Sequence, residues 1–162
     1  MGKKNRKERE ERDRKLESIA MKWIEENYPN GISEKEYKEL LVDQNNLIAE
    51  NEEKIRKNLG SREQLAKMID PKAETRELKQ SESDKEISFN NDLFFNIGMP
   101  NDEFNNAIKF ENVEKAKEFE AHQTYEALNK RIQELIDEKK VAENILAIAI
   151  DIADVEQRIA AN

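Results

Sequence analysis

The last third of the chain limits the fold most strongly, because its apolar residues recur with the spacing of a packed helix. From about residue 112 to residue 162 there is neither proline nor glycine, which predicts a single helix of up to about 75 Å. Apolar positions along it alternate steps of four and three, with Lys139 as the one polar break. This alanine–leucine seam comprises Ala121, Tyr125, Leu128, Ile132, Leu135, Lys139, Ala142, Leu146, Ala149 and Ala153. It predicts lengthwise packing against another helix.

A second apolar line begins in the same stretch and follows the same spacing. This β-branched seam comprises Val141, Ile145, Ile148, Ile152, Val155 and Ile159. Its members fall within about 40° of Val141, whereas Leu146 and Ile150 project about 140° and 180° away from it, so one partner cannot cover both faces. We expect the alanine–leucine seam to pack inside the protein and the β-branched seam to contact another molecule.

Two interpretations of the β-branched seam stay open at this point. Isoleucine and valine at both core positions of a heptad favour three or four strands in parallel coiled coils, which predicts a self-associated trimer or a larger ring. Alternatively, the N-terminal helix with Trp23 and Ile24 covers this seam within one subunit and closes a three-helix bundle.

The first seventy residues are predicted to form a helical hairpin. An amphipathic helix through Leu16 and Trp23 should stop at the sequence YPNG, residues 28–31, and Ser33 with Glu36 forms a capping box that opens a second helix. Gly60 is placed to end that helix, and the sequence SREQ at 61–64 to begin a short third one. The predicted fold is therefore all-α and elongated, a helical hairpin plus a long C-terminal coiled-coil-like helix. The predicted segments are a basic arm (1–15), the hairpin with its short helix (16–70), a polar linker (71–86), an aromatic docking segment (87–111) and the long amphipathic helix (112–162).

The docking segment contains an apolar stretch, SFNNDLFFNIGMP, in a chain of which 40% is charged. Its large apolar residues are Phe89, Leu93, Phe94, Phe95, Ile97 and Met99. Either the segment folds back into a sparse core, or it docks into a groove on a neighbouring subunit. A following helix through Phe104, Ile108 and Phe110 is expected.

Charge is distributed unevenly along the chain. Residues 1–16 hold eight basic and four acidic residues, so that they carry +4 and the remainder −12 of the net −8. A contact with a polyanion such as nucleic acid would use Lys3, Lys4, Arg6, Lys7 and Arg9. The acids interleaved in KEREERDRK, residues 7–15, favour instead a solvated helix with ion pairs four residues apart.

Several chemical functions lack any signature in the sequence. There is no cysteine, hence no thiolate ligand or cysteine nucleophile, and no glycine cluster that could cradle a phosphate. His122 stands four residues after Glu118, which does not match the Glu-x-x-His pattern of di-iron bundles. We therefore expect no enzyme activity, no catalytic residue, cofactor, metal or small-molecule substrate, no membrane span and no secretory signal, which points to the cytoplasm.

In general character the chain resembles the internal, scaffolding or connector-associated proteins of tailed bacteriophages. The shared features are an acidic, cysteine-free composition rich in Lys, Glu, Asn and Ile, a long terminal helix and a charged arm. Bacterial coiled-coil adaptors match as well. The resemblance implies a non-enzymatic role in assembling or filling a larger particle through protein partners, with self-association as the first of these contacts. It also implies a location inside a virion as the alternative to the cytoplasm. The alternative is a small regulator that binds nucleic acid or a nucleic-acid enzyme through the basic arm or the acidic body.

Overall fold

The fold is all-α, as predicted. A computed structural model describes residues 2–77, 94–96 and 106–161, with side-chain surroundings for 7–75 and 108–153. Within these ranges the chain forms four helices, and the long C-terminal helix packs against the others. The helices are α1 (Gly2–Asn27), α2 (Glu34–Ile69), α3 (Val113–Ala121) and α4 (Gln123–Ala161).

Three short strands form a small antiparallel sheet that was not predicted from the sequence. They are β1 (Glu74–Glu77), β2 (Phe94–Asn96) and β3 (Asn106–Lys109), in the order β1-β3-β2. The predicted helix through Ile108 is therefore wrong. Ile108 is fully buried while the next residue, Lys109, is exposed, which is the alternation expected of a strand with one face in a core. β1 lies where a polar linker was predicted.

The helix ends follow the predicted capping signals only in part. At the start of α2, Ser33 Oγ accepts from the Glu36 amide at 3.1 Å and the Ser33 amide donates to Glu36 Oε1 at 3.1 Å, so the capping box is confirmed. The predicted stop at Gly60 is wrong, since α2 continues without a break to Ile69. A Cβ at Gly60 would meet no atom within 4 Å, so this glycine does not serve a close contact.

The predicted single helix over residues 112–162 is interrupted at His122. This residue is in extended conformation, with φ −72° and ψ 133°, between α3 and α4. Its amide donates to the Phe119 carbonyl, and its Nδ1 accepts from the Thr124 amide at 3.1 Å. Asn112 caps α3 by accepting from the Lys115 amide at 2.9 Å. His122 is thus the single non-helical residue between the two helices, and its hydrogen bonds are local ones to Phe119 and Thr124.

The chain divides into two compact units. The first unit consists of Met1–Lys54 and Glu134–Asn162, and the second of Ile55–Gln133. α2 and α4 each contribute residues to both units.

Three helical segments build the core of the first unit. Arg12 of α1 lies 3.4 Å from Asp137 of α4, and further along both helices Ile24 packs in one cluster with Ile145, so α1 and α4 run in the same direction. Lys139 contacts Glu52 of α2, which runs in the opposite direction to α4 because its earlier residue Leu40 joins the cluster around Ile145. The buried members of this cluster are Ala20, Ile24, Ile32, Leu40, Ile145 and Ala149.

The second unit has its own core beside the sheet. Its buried cluster comprises Leu65, Ala66, Ala73, Ile108, Phe110, Ala116, Phe119 and Tyr125. The rings of Phe110, Phe119 and Tyr125 follow one another at centroid distances of 5.3 and 4.5 Å. Asp70, fully buried after the end of α2, accepts from the amides of Lys72 and Glu111 at 3.0 and 2.6 Å and thereby links the chain before β1 to the chain before α3. Both carboxylate oxygens of this buried charge are therefore hydrogen-bonded.

Candidate functional site

The β-branched seam lies on the side of α4 that faces α1. Ile145 is 4% exposed and belongs to the buried cluster with Ala20 and Ile24 of α1. Val141, Ile148 and Ile152 pack against this cluster and stay half-buried. Val155 and Ile159 lie in α4, but their side chains fall outside the described part of the chain. In its described part the seam therefore packs against α1 of the same chain, and a contact of the seam with another molecule stays a prediction.

α1 covers the seam incompletely. Ile19, 44% exposed, is one turn before half-buried Trp23 and seven residues after Arg12, which reaches Asp137 on α4. Residues three, four and seven apart share a helix face, so Ile19 lies along the edge where α1 meets α4. We call this edge, formed by Ile19, Trp23, Val141, Ile148 and Ile152, the α1–α4 edge. It combines one exposed and four half-buried large apolar side chains.

The polar break of the alanine–leucine seam is a buried lysine that pairs with two partly exposed carboxylates. Lys139 is 3% exposed, and its Nζ lies 3.2 Å from Glu52 Oε1 and 3.6 Å from Glu143 Oε1. One turn earlier, buried Asn51 donates to the Leu135 carbonyl at 3.2 Å and to Glu138 Oε2 at 3.1 Å. A polar group at a helix-packing position restricts the register, because sliding the helices would leave it without its partners.

The basic arm forms the beginning of α1. Residues 7–15 are all exposed, including Lys7 and Arg9, while the side chains of Lys3, Lys4 and Arg6 lie outside the described part. Arg14 lies 4.0 Å from Glu10, four residues earlier. This ion pair agrees with the predicted solvated helix, and a polyanion contact stays a prediction.

Of the docking segment (87–111), the structure describes residues 94–96 and 106–111. Phe89, Leu93, Ile97 and Met99 lie outside the described residues. Phe94 and Phe95 belong to β2, where their backbones are in register with Lys109 and Ile108 of β3. This part of the segment therefore joins a sheet of its own chain, and its docking to another subunit stays a prediction.

A buried arginine in the second unit was not recognised from the sequence. Arg62 is 0% exposed, and its Nη1 donates to Asn129 Oδ1. Within the described ranges, no atom accepts a hydrogen bond from its Nε or Nη2. Burying a charge without a counter-charge costs several kcal/mol. Positions 55, 59, 62, 66 and 69 of α2 alternate steps of four and three, so reading the helix through Gly60 would have placed Arg62 in an apolar line.

Burial alters the ionisation of this arginine and of its neighbour. Loss of hydration lowers the pKa of Arg62 to about 10, and the Tyr125 hydroxyl acts in the opposite direction. Burial likewise raises the pKa of Tyr125, against the effects of a hydrogen bond with Asn129 and of the Arg62 charge. At neutral pH Arg62 is therefore a cation and Tyr125 a neutral phenol. We call Arg62, Asn129 and Tyr125 the Arg62 cluster.

Other features offer little chemistry. In the part of the chain that the structure describes, no three His, Asp or Glu side chains are grouped as metal ligands. A depression of about 540 Å³ between α1 and α2 is lined by Asn27, Tyr28, Pro29, Asn30, Gly31, Ile32, Ser33 and Glu36, and the Glu36 carboxylate there already accepts from the Ser33 amide. None of the described helices has a stretch long and apolar enough to cross a membrane.

Comparisons of the chain with protein-family models, with curated proteins and with solved structures find no match in any of the three.

Proposed function

We propose that the chain is a non-enzymatic structural or assembly protein that works through helix-to-helix contacts, self-association being the first of them. The observation that carries the proposal is the α1–α4 edge. Even with α1 in place, Ile148 and Ile152 stay half-buried and Ile19 is 44% exposed. Complete burial of a large apolar side chain stabilises a complex by about 1.5 to 3 kcal/mol, so a partner that covers this edge gains free energy at several positions.

The polar contacts of the first unit support the same role. Lys139 and Asn51 restrict the register of α2 on α4, so α4, which contributes Val141, Ile148 and Ile152 to the edge, is held in a defined alignment with α2. The amino-acid composition favours one form of the proposal. In that form the chain is a scaffolding or internal protein that helps to assemble or fill a virion. That form rests on the whole-chain resemblance described above.

The test is the association state of the full-length protein, measured by sedimentation equilibrium over a range of concentrations. We expect the wild type to form a trimer or a larger assembly. Ile19→Glu should shift the equilibrium towards the monomer, because it places a charge in the apolar edge without removing a buried side chain. The matched control is Val42→Glu, an exposed position in the same unit on the side of α2 that faces away from Leu40, and it should associate as the wild type does.

Circular dichroism separates a loss of association from a loss of folding, since both variants should keep the helix content of the wild type. A wild type that remains monomeric at every concentration would contradict self-association. If Ile19→Glu and Val42→Glu changed the association equilibrium equally, the α1–α4 edge would not be the contact surface.

A further inference from the structure

Arg62 presents an edge of its guanidinium group to which no described residue is bound. Its Nη1 is occupied by Asn129 Oδ1, whereas Nε and Nη2 are buried without an acceptor. These two nitrogens lie on the same side of the planar group, and their N–H bonds point in nearly parallel directions. This is the edge with which arginine binds both oxygens of a carboxylate or two oxygens of a phosphate.

The surroundings favour an anion at this edge over a neutral acceptor. Arg62 is 0% exposed and its neighbours Leu65, Ala66 and Tyr125 belong to the apolar cluster of the second unit. Within the described ranges no carboxylate oxygen accepts from its Nε or Nη2. Tyr125 is neutral at ordinary pH and Asn129 is uncharged, so the cluster retains a whole positive charge in a medium of low dielectric constant.

We propose that the Arg62 cluster is a binding site for a small oxyanion, a free carboxylate or phosphate held by two parallel hydrogen bonds from Nε and Nη2 of Arg62. Asn129 keeps the guanidinium plane fixed by accepting from Nη1. Asn129 also forms a hydrogen bond with Tyr125, whose ring packs against Phe119 in the core of the second unit. The inference is independent of the assembly role, because every residue that carries it lies in the second unit.

Access to the site requires a local opening, because Nε and Nη2 are shielded from solvent. An anion that binds only after this opening and then closes the site stabilises the folded state by mass action. Binding should therefore appear both as a change at the Arg62 side chain and as a saturable increase in the thermal midpoint of the protein.

The experiment is an NMR titration of the full-length, ¹⁵N-labelled protein with succinate and, separately, with inorganic phosphate, at constant ionic strength maintained with chloride. The Nε–Hε signal of Arg62 is assigned by its absence from Arg62→Lys. We expect that signal to move downfield and to saturate with at least one of the two anions. The anion that saturates the signal at the lower concentration identifies the class of ligand, carboxylate or phosphate.

Thermal unfolding supplies the second measurement. The midpoint of the wild type should rise with the same anion and reach a plateau, and Arg62→Met should lose this rise. The matched control, Arg56→Met, removes an exposed arginine of the same helix and should retain it. A general salt effect would instead raise the thermal midpoint of the wild type and of both variants, and the rise would not reach a plateau.

An unchanged Nε–Hε signal with both anions would overturn the proposal, as would a rise that persists in Arg62→Met. A buried water that accepts from Arg62 gives the first of these results. If Arg62→Met does not fold, the titration of the wild type decides alone.

Discussion

Individual polar residues of this protein occupy positions where the helix pattern calls for apolar ones. Lys139 is at a core position of α4, and its four-carbon stem packs while Nζ reaches Glu52 and Glu143. Asn51 occupies such a position in α2 and reaches α4. Both residues restrict the alignment of the two helices, because sliding the helices would leave their polar groups without partners.

Substitutions of Lys139 separate the packing of its stem from its charge. Lys139→Met keeps a side chain of similar length, and the carboxylates of Glu52 and Glu143 are partly exposed and can be hydrated. We expect Lys139→Met to change the free energy of unfolding by less than about 1.5 kcal/mol. Lys139→Ala leaves a cavity and should cost about 2 to 5 kcal/mol. Urea unfolding measures both, and a Met variant as unstable as the Ala variant would show that the ion pair itself stabilises the fold.

The sequence showed that Lys139 lies in an apolar line of a helix, but the same property of Arg62 was not recognised. Lys139 interrupts a long, regular heptad pattern, so its position relative to the core could be read directly. Arg62 follows Gly60 and Ser61, which were interpreted as the end of one helix and the cap of the next. That interpretation removed Arg62 from the apolar line of α2.

At the scale of the elements, local signals determined helix ends where no tertiary contact opposed them. The capping box at Ser33 and the stop after Asn27 were predicted correctly. α2 instead passes through Gly60, because residues on both sides of it are buried, Leu59 before it and Leu65 after it. Burial of such side chains outweighs the low helix propensity of one glycine, which is about 1 kcal/mol.

Two glycines should respond in opposite ways to the same substitution. Gly60→Ala should stabilise the protein by about 0.5 to 1 kcal/mol, because alanine favours the helix and its Cβ meets nothing within 4 Å. Gly31→Ala should destabilise it by about 1 to 2 kcal/mol, because Gly31 has a φ of 94°. Thermal and urea unfolding of both variants provide the comparison. Destabilisation by Gly60→Ala would indicate that α2 is broken at this residue.

The small sheet could not be predicted for a physical reason. β1 reads ETRE and β2 has only three residues, so neither carries an apolar alternation long enough to recognise. Their strand conformation depends on pairing with β3, which is distant from β1 along the chain. Such pairing is decided by tertiary context and not by local propensity.

At the scale of the whole molecule, the sequence predicted two apolar faces on the C-terminal helix and left open what covers the second. In the structure α1 covers it within the same chain, through the cluster of Ala20, Ile24 and Ile145. Among the described residues of the seam and of α1, the apolar surface that is left open forms the α1–α4 edge. The proposed assembly role depends on that edge, and on α1 belonging to the same subunit as the α4 that it covers.

A crosslinking measurement tests this arrangement most directly, since the chain has no cysteine and two introduced ones are the only thiols. Arg12 and Asp137 lie 3.4 Å apart at their charged atoms, and both side chains are partly exposed. The variant Arg12→Cys with Asp137→Cys is treated with a short bifunctional thiol reagent, and the product masses are determined at several protein concentrations. The control pairs Asp137→Cys with Met21→Cys, about 180° around α1 from Arg12 and exposed.

We expect the Arg12 and Asp137 pair to give an internally linked monomer whose yield does not change with protein concentration, and the control pair to give none. Linked dimers in place of linked monomers would contradict the account, because they would mean that α1 covers the β-branched seam of another copy.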